Sequence, residues 1–190
     1  MLVSFTGAQC TGKTTLLKRC KCDVTLLRDW SYVDEVTRKV KRGGSNINEA
    51  GDDTTQLFIL SEHLNNHQKP VEDQNRMLDR CILDGYIYTR WLFDNGKVSE
   101  WVLDYARNLM SHLIDNLDII FYTQPEDVPL ISDGVRSVNV TFRQDILDLY
   151  EQLFAEKFHW MNKLVRLRGT VNDRMKTILN KIDEKTNIRQ

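Results

Sequence analysis

Short apolar runs alternate with longer segments of helical periodicity along this chain of 190 residues. Runs of about four to eight apolar residues are typical of buried strands, whereas apolar residues at every third or fourth position are typical of amphipathic helices. This alternation favours an α/β fold in which helices cover both faces of a parallel sheet and ligands bind beyond the carboxyl ends of the strands. The pattern predicts strands at Leu2–Thr6, Val24–Leu27, Asp118–Tyr122 and Leu164–Leu167, and helices at Thr14–Cys22, from Thr54 onward, at Ser99–Leu117, around Ile146–Phe154 and at Asn172–Lys185.

The segment from Ser99 to Leu117 has the clearest helical stripe. Its polar residues fall on the opposite side, as expected for a helix that packs one face on the core. The strand predicted directly after it leads to Pro125, which cannot donate to a sheet, so a loop is expected there. The predicted core face of the helix comprises Trp101, Val102, Tyr105, Leu109, Leu113, Ile114 and Leu117.

A glycine-rich segment directly after the first predicted strand has the pattern G-x-x-x-x-G-K-[ST]. Glycines allow a tight turn, so successive N–H groups and the start of the next helix can surround a polyphosphate. Lys13 is expected to reach the terminal phosphates, and Thr14 to offer its hydroxyl to Mg²⁺. The residues expected to contact ATP or GTP are Gly7, Ala8, Gln9, Cys10, Thr11, Gly12, Lys13, Thr14 and Thr15.

An Asp-Arg pair and a further aspartate follow a short apolar stretch in the middle of the chain. If the strand ends at Asp79, this carboxylate lies near Mg²⁺ or an acceptor hydroxyl, Arg80 meets a phosphate, and Asp84 sits in the next helix. If Cys81–Leu83 is the strand instead, Asp84 becomes the magnesium-side carboxylate of a Walker-B pattern. Both registers place an acid at the carboxyl end of a strand. The alternative without chemistry is a surface ion pair with Asp84 as a helix cap.

Glu35 and Arg38 form a second acid-base pair, shortly after the second predicted strand. They are candidates for holding an acceptor substrate, with Glu35 orienting or deprotonating a hydroxyl and Arg38 facing an anionic part of the molecule. One helical turn separates them, so the alternative is an exposed ion pair that stabilises the helix by roughly a few tenths of a kcal/mol.

The segment 125–143 is predicted to form a short lid that carries two arginines, Arg136 and Arg143. Transfer of a γ-phosphoryl group spreads negative charge over its oxygens, and cations that arrive on closure can stabilise that charge and exclude water. The lid would follow a core strand, where catalytic loops commonly lie. Arginines that merely decorate a surface loop are the alternative.

Composition limits the classes of partner. The chain has 26 basic and 27 acidic residues, so a net charge of −1 does not favour a polyanion such as DNA. The 4 cysteines lack zinc spacing and indicate free thiols in a reducing cytoplasm. No stretch has the pattern of a signal peptide or membrane span. We expect one cytoplasmic domain over residues 1–190 with no membrane partner, and the sequence leaves its oligomeric state open.

Together these motifs resemble the AAA-like ATPase/kinase family related to nicotinamide riboside kinase domains, with features similar to thymidylate kinases. The resemblance implies a P-loop kinase fold that uses ATP and Mg²⁺, favours the register in which the strand stops at Asp79, and implies that adenine lies near the lid and Gly169-Thr170. Residues 41–53 match no acceptor-site pattern of the family. The resemblance is carried by Gly7–Thr14, Glu35-Val36-Thr37-Arg38, Asp79-Arg80 with Asp84 and Tyr88, and Asp133-Gly134-Val135-Arg136 after Gln124-Pro125.

The leading hypothesis is an ATP-dependent kinase that phosphorylates a nucleoside, nucleotide or nucleoside-like acceptor. The alternatives are a kinase acting on a modified base in DNA and a regulatory ATPase without a small acceptor. The metal ligands would be Thr14 and Asp79, and Arg136 would also contact the nucleotide. The acceptor residues would be Glu35, Arg38, Arg80 and Asp84, and the catalytic residues Lys13, Glu35, Asp79, Arg80, Asp84, Arg136 and Arg143.

Overall fold

One parallel sheet organises the residues that the computed structural model describes, which are 1–44, 46–68, 74–125 and 139–187. Within those residues it has five strands in the order β2-β3-β1-β4-β5. The central strand β1 pairs with β3 on one side and β4 on the other, and all pairings are parallel. The strands are β1 (Leu2–Thr6), β2 (Ser31–Val33), β3 (Arg76–Asp79), β4 (Ile119–Thr123) and β5 (Leu164–Leu167).

Helices cover both faces of this sheet, and each face has its own apolar core. On one face of the sheet, side chains of β1 and β4 pack against α1 and α7. The larger core, on the other face, lies under α3, α4, α5 and α6. The α/β fold predicted from the alternation of strands and helices is therefore confirmed. The helices are α1 (Lys13–Asp23), α2 (Val36–Arg42), α3 (Asp53–Asn66), α4 (Ile82–Asp94), α5 (Glu100–Leu113), α6 (Val140–Ala155) and α7 (Val171–Asn187).

The prediction of a strand at Val24–Leu27 is wrong. Thr25–Leu27 is a 3₁₀ turn whose Leu26 is 85% exposed, and the second strand is Ser31–Val33. This strand lies at the edge of the sheet and is only partly covered, so it lacks the continuous apolar run by which buried strands are recognised. The hydroxyl of Tyr32 donates to the carbonyl of Leu27, which ties the turn to the strand.

The predicted core face of α5 is partly wrong. Trp101 is 57% exposed, and Tyr105 and Leu109 are half-buried, because the helix presents a neighbouring face to the core. The helix also ends at Leu113, and Ile114–Asn116 forms a 3₁₀ turn before β4. The residues that α5 does bury are Val102, Leu103, Ala106, Met110 and Leu113.

The parallel strands place the segments with candidate catalytic residues at the carboxyl end of the sheet. The register pairs Phe5 with Asp79, so β1 and β3 end side by side, and the end of β4 at Thr123 lies across from Thr6. Of the predicted lid, residues 126–138 lie outside the described residues. The described residues contain no helix long and apolar enough to cross a membrane. A single domain over residues 1–190 stays a prediction.

The burial pattern of α5 predicts unequal costs for two neighbouring truncations. Leu103→Ala removes a buried side chain from the large core and should lower the free energy of unfolding by about 2–5 kcal/mol. Trp101→Ala removes a larger but exposed side chain and should change it by no more than about 0.5 kcal/mol. Urea denaturation measures both, and a larger loss for the Trp101 variant would contradict this assignment of the buried face.

Candidate active site

The phosphate loop connects β1 to α1 as the sequence motif predicts. Gly7 has φ 133° and Gly12 has φ 89°, both in the region that favours glycine. A Cβ on Gly7 would lie 2.4 Å from the carbonyl oxygen of Thr123, so a side chain here would collide with the end of β4. Inside the loop, the hydroxyl of Thr11 donates to the carbonyl of Ala8. The loop is thus held in shape by its own contacts and by β4.

Lys13 turns back into this loop at the start of α1. Its buried ammonium group donates to the carbonyls of Gly7 and Ala8 and to the hydroxyl of Thr11. Burial and, to a smaller extent, the positive charge of Arg80 lower the pKa of Lys13 to about 7 against the opposing effect of nearby carboxylates. The lysine therefore sits where phosphates would bind, in a setting that lacks enough negative charge to hold its proton firmly.

Thr14 and Asp79 meet between the phosphate loop and the end of β3. The Thr14 hydroxyl donates to Asp79 Oδ2 at 2.7 Å, and among the described residues Asp79 Oδ1 is buried without a hydrogen-bond partner. Burial raises the pKa of Asp79, and the negative charge of Glu35 adds to this effect. A cation would reverse both penalties. Thr14 and Asp79 therefore fit a Mg²⁺ that takes its other oxygen ligands from phosphates and water.

Arg80 joins the carboxylates of two helical segments. Its Nε donates to Glu35 Oε1 at 2.6 Å, and its Nη1 donates to Asp84 Oδ1 at 2.7 Å. The same Nη1 lies 3.4 Å from the carbonyl oxygen of Gly7, so the ion network touches the phosphate loop. The ring of Tyr88 covers the guanidinium at 5.1 Å. All three charged side chains are buried, which leaves pairing as their source of stabilisation.

The backbone of Arg80 has φ 86°, a left-handed conformation that costs a residue with a side chain about 1–3 kcal/mol. Its N–H donates to the carbonyl of Phe5, which fixes the turn between β3 and α4. The turn places the guanidinium beside the phosphate loop, within reach of the Gly7 carbonyl. Backbone strain at this point accompanies the placement of a charged group in the site.

Asp84 lies in the first turn of α4, so the register in which β3 stops at Asp79 is confirmed and the register with a strand at Cys81–Leu83 is wrong. Besides Arg80, Asp84 accepts from the Thr6 hydroxyl at 2.8 Å and from the Cys81 N–H at 3.0 Å. The Tyr150 hydroxyl in turn lies 2.9 Å from Thr6 Oγ1. Because both of its oxygens are used by protein donors, Asp84 holds Arg80 and caps α4, and the Walker-B interpretation has no structural basis.

The remaining sequence-predicted arginines have different placements. Arg38 Nε lies 3.4 Å from Glu35 Oε2, so this pair forms as predicted, although its carboxylate is buried and not at the surface. Arg143 lies in the first turn of α6, and within the described part of the chain its Nη1 is buried without a hydrogen-bond partner. Arg136 lies outside the described residues.

Three cavities lined by described residues lie beside this network or beside the phosphate loop. The first, of about 20 Å³, lies between α2, α3 and α4 and has room for about one water molecule, so a ring-sized ligand enters only if its walls move apart. The second, of about 330 Å³, opens beside Glu35 and Arg38. The third, of about 430 Å³, lies between the start of α1 and the loop at Gly169-Thr170. Residues lining the first include Gln56, His63, Arg80, Asp84, Gly85 and Tyr88.

Sequence reasoning missed several polar residues of the site. Thr6 and Tyr150 extend the network of Asp84. Gln9, which the sequence did predict as a nucleotide contact, accepts a hydrogen bond from the Tyr88 hydroxyl at 3.0 Å. Gln56 is buried in α3 and accepts from Thr89. A buried tyrosine in an amphipathic helix looks like any core aromatic, so no signal in the sequence marks Tyr150. Gln56 shares the buried side of α3 with Thr55 and His63, so its polar side chain does not stand out in the sequence either.

The family model described as AAA domain matches residues 2–174. This chain belongs to that AAA domain family. The match spans the phosphate loop, the Asp-Arg turn after β3 and the first residues of α7, so it includes every described element of the site. No curated protein matches the sequence.

Solved structures with the same arrangement of strands and helices include two kinds of protein. NadR in complex with NR has a TM-score of 0.72 and 16% identity, with 97% of this chain and 50% of that chain covered. This chain therefore spans about half the length of NadR. Deoxyadenosine kinase from M. mycoides, bound to dCMP and dCDP, has a TM-score of 0.68 and 14% identity over 97% of this chain and 99% of that chain. At these identities the likeness confirms the P-loop fold.

Two Arg-Asp pairs with the same spacing allow a matched test of the buried network: Arg80–Asp84 joins the turn before α4 to its first turn, and Arg90–Asp94 lies at the end of α4. Asp84→Ala leaves Arg80 short of a buried partner and should lower the free energy of unfolding by about 3–5 kcal/mol. Asp94→Ala breaks an exposed pair with Arg90 and should cost no more than about 1 kcal/mol. Chemical denaturation measures both. Equal costs for the two variants would contradict a structural role for the Arg80–Asp84 pair.

Proposed function

We propose that this protein is a kinase that transfers the terminal phosphoryl group of ATP to a hydroxyl of a nucleoside or nucleoside-like acceptor. The observation that carries the proposal is the double contact of Arg80. One guanidinium bonds the buried Glu35 carboxylate and also reaches the Gly7 carbonyl of the phosphate loop. A candidate acid-base group is thereby held beside the donor loop, which is the arrangement that phosphoryl transfer to a hydroxyl requires.

The structural neighbours support this class of reaction. One is titled a deoxyadenosine kinase with bound products, and the same protein is also seen with dATP. NadR is seen with NR in one structure and with NAD and AMP-PNP in another. These complexes support a nucleoside-type acceptor in the cavities lined by Arg80 and by Glu35, and an ATP-type donor in the cleft beside Gly12.

The described residues suggest how the roles divide. Glu35 would orient or deprotonate the acceptor hydroxyl, and Arg80 would hold Glu35 and stabilise negative charge on the transferred group. Lys13 would leave its loop carbonyls for the β- and γ-phosphates. Mg²⁺ held at Thr14 and Asp79 would supply Lewis-acid neutralisation of the phosphate oxygens. Arg143 and Arg136 remain proposed lid cations.

A panel of nucleosides and nucleoside monophosphates with Mg²⁺ and ATP tests the proposal by acceptor-dependent ADP formation. Glu35→Gln should lower kcat by about 10²–10⁴-fold because it removes the acid-base group while leaving an oxygen for Arg80. The ATP affinity of this variant should stay near that of the wild type. Glu184→Gln, an exposed carboxylate paired with Lys181 on α7, is the control and should keep full activity.

Absence of acceptor-dependent ADP across the panel would contradict the proposal. Turnover of ATP that no acceptor changes would favour a regulatory ATPase, and transfer of label from ATP to DNA carrying a hydroxylated base would favour the DNA-modifying alternative.

The pKa of Lys13 predicts that nucleotide binding takes up protons. Above about pH 7 the free protein carries this lysine largely neutral, and phosphates favour its charged form, so binding raises its pKa. Affinity for MgATP should therefore fall as pH rises from about 7 toward 10, and near pH 8 binding should take up close to one proton. Calorimetry in buffers of different ionisation enthalpy measures the uptake. Lys13→Arg is the control, because a guanidinium keeps its charge, and equal uptake by that variant would contradict the assignment.

A further inference from the structure

Arg174 lies in the first turns of α7 and is 3% exposed. Its three guanidinium nitrogens donate to three different loops. Nε donates to the carbonyl of Gly169 at 3.0 Å, Nη1 to that of Thr11 at 3.0 Å, and Nη2 to that of Gln124 at 3.2 Å. One planar group thus connects the loop after β5, the phosphate loop and the end of β4.

These contacts are placed between the two parts of the proposed donor site. Arg174 forms part of the wall of the 430 Å³ cleft. One side of that cleft is the end of the phosphate loop and the first turn of α1, at Gly12 and Thr15, and the other is the loop at Gly169-Thr170. Thr11, which accepts from Arg174, directly precedes Gly12. The arginine therefore sets the distance between the phosphate loop and the opposite wall of the cleft.

Anchoring α7 to the sheet does not require this residue. Met175, Ile178 and Ile182 of the same helix are buried in the apolar core shared with α1. A buried guanidinium is costly unless its donors are satisfied, and a lysine in its place would offer a single nitrogen that cannot span three separated carbonyls. We therefore infer that the main effect of the Arg174 side chain is to hold the three loops in place.

We propose that Arg174 is a positioning residue for the donor nucleotide, coupling the phosphate loop to the cleft that holds the base. This inference rests on the proposed function, because it takes the nucleotide in the site to be ATP. The base would occupy the cleft beside Gly169-Thr170 while the triphosphate occupies the phosphate loop, and Arg174 keeps the two at the spacing of one nucleotide. Among the described residues, Arg174 is not one of those that line the two acceptor cavities.

The test compares a ligand that uses both parts of the donor site with one that uses the phosphate loop alone. MgATP and magnesium tripolyphosphate are titrated calorimetrically into the wild type, Arg174→Gln and Arg174→Lys. In both variants the Kd for MgATP should rise about tenfold, as expected for lost hydrogen bonds to a charged group, while the Kd for tripolyphosphate changes less than about twofold. In the kinase assay the KM for ATP should rise with the KM for the acceptor unchanged.

Arg19→Gln is the matched control. Arg19 also links α1 to α7, through Asn172, but it is partly exposed and is not one of the residues that line the cleft. Its loss should leave both titrations unchanged. Arg174→Lys keeps the buried positive charge, so it serves as a second variant if Arg174→Gln does not fold. Thermal unfolding of each protein shows whether it is folded.

Four outcomes would overturn the inference. Equal weakening of ATP and tripolyphosphate would show damage to the phosphate loop alone, and wild-type binding by the lysine variant but not by the glutamine variant would show that charge, not the three-way contact, matters. Wild-type binding of ATP by both variants would exclude the role and leave the proposed kinase standing. If the wild-type protein binds neither ligand, the proposed function fails and the inference fails with it.

Discussion

The buried guanidinium of Arg80 is the contact on which the rest of the site depends. It meets Glu35 from the start of α2, Asp84 from α4 and the Gly7 carbonyl of the phosphate loop. Three segments that are far apart in the chain are thereby held to one buried charged group. Loss of any partner would leave a buried charge, so the network stabilises the fold only when it is complete. When the network is complete, its bond from Arg80 also fixes the position of the Glu35 carboxylate.

Around this group, two buried charges lack sufficient partners of opposite sign in the free protein. Asp79 and Glu35 repel each other, and burial raises the pKa of Asp79. Lys13 has its pKa lowered to about 7 by burial and by Arg80. A magnesium nucleotide would relieve both conditions, because its cation suits the carboxylate and its phosphates suit the lysine. Such a ligand would gain affinity from the relief of these two penalties as well as from new contacts.

The hydrophobic structure explains why these costs are tolerated. Apolar cores lie on both faces of the sheet, and the ends of β1, β3 and β4 lie where those cores meet the loops. Strained or charged elements, such as the left-handed backbone of Arg80 and the glycines of the phosphate loop, sit at this edge. The apolar cores stabilise the fold, and the loops at the carboxyl ends of the strands contain the candidate site.

What the sequence determined by itself is local. The phosphate loop between β1 and α1, the end of β3 at Asp79 by resemblance, and the α/β class all follow from short-range patterns, because glycine conformations, apolar runs and helical repeats act over a few residues. Tertiary structure decided the rest. Only packing shows that Trp101 faces outward, that the second strand is Ser31–Val33, and that Asp84 pairs with Arg80 at the start of a helix. The same holds for the contacts of Tyr150 with Thr6 and of Arg174 with Thr11. Those outcomes depend on contacts between residues far apart in the chain, and a single sequence carries no record of such distances.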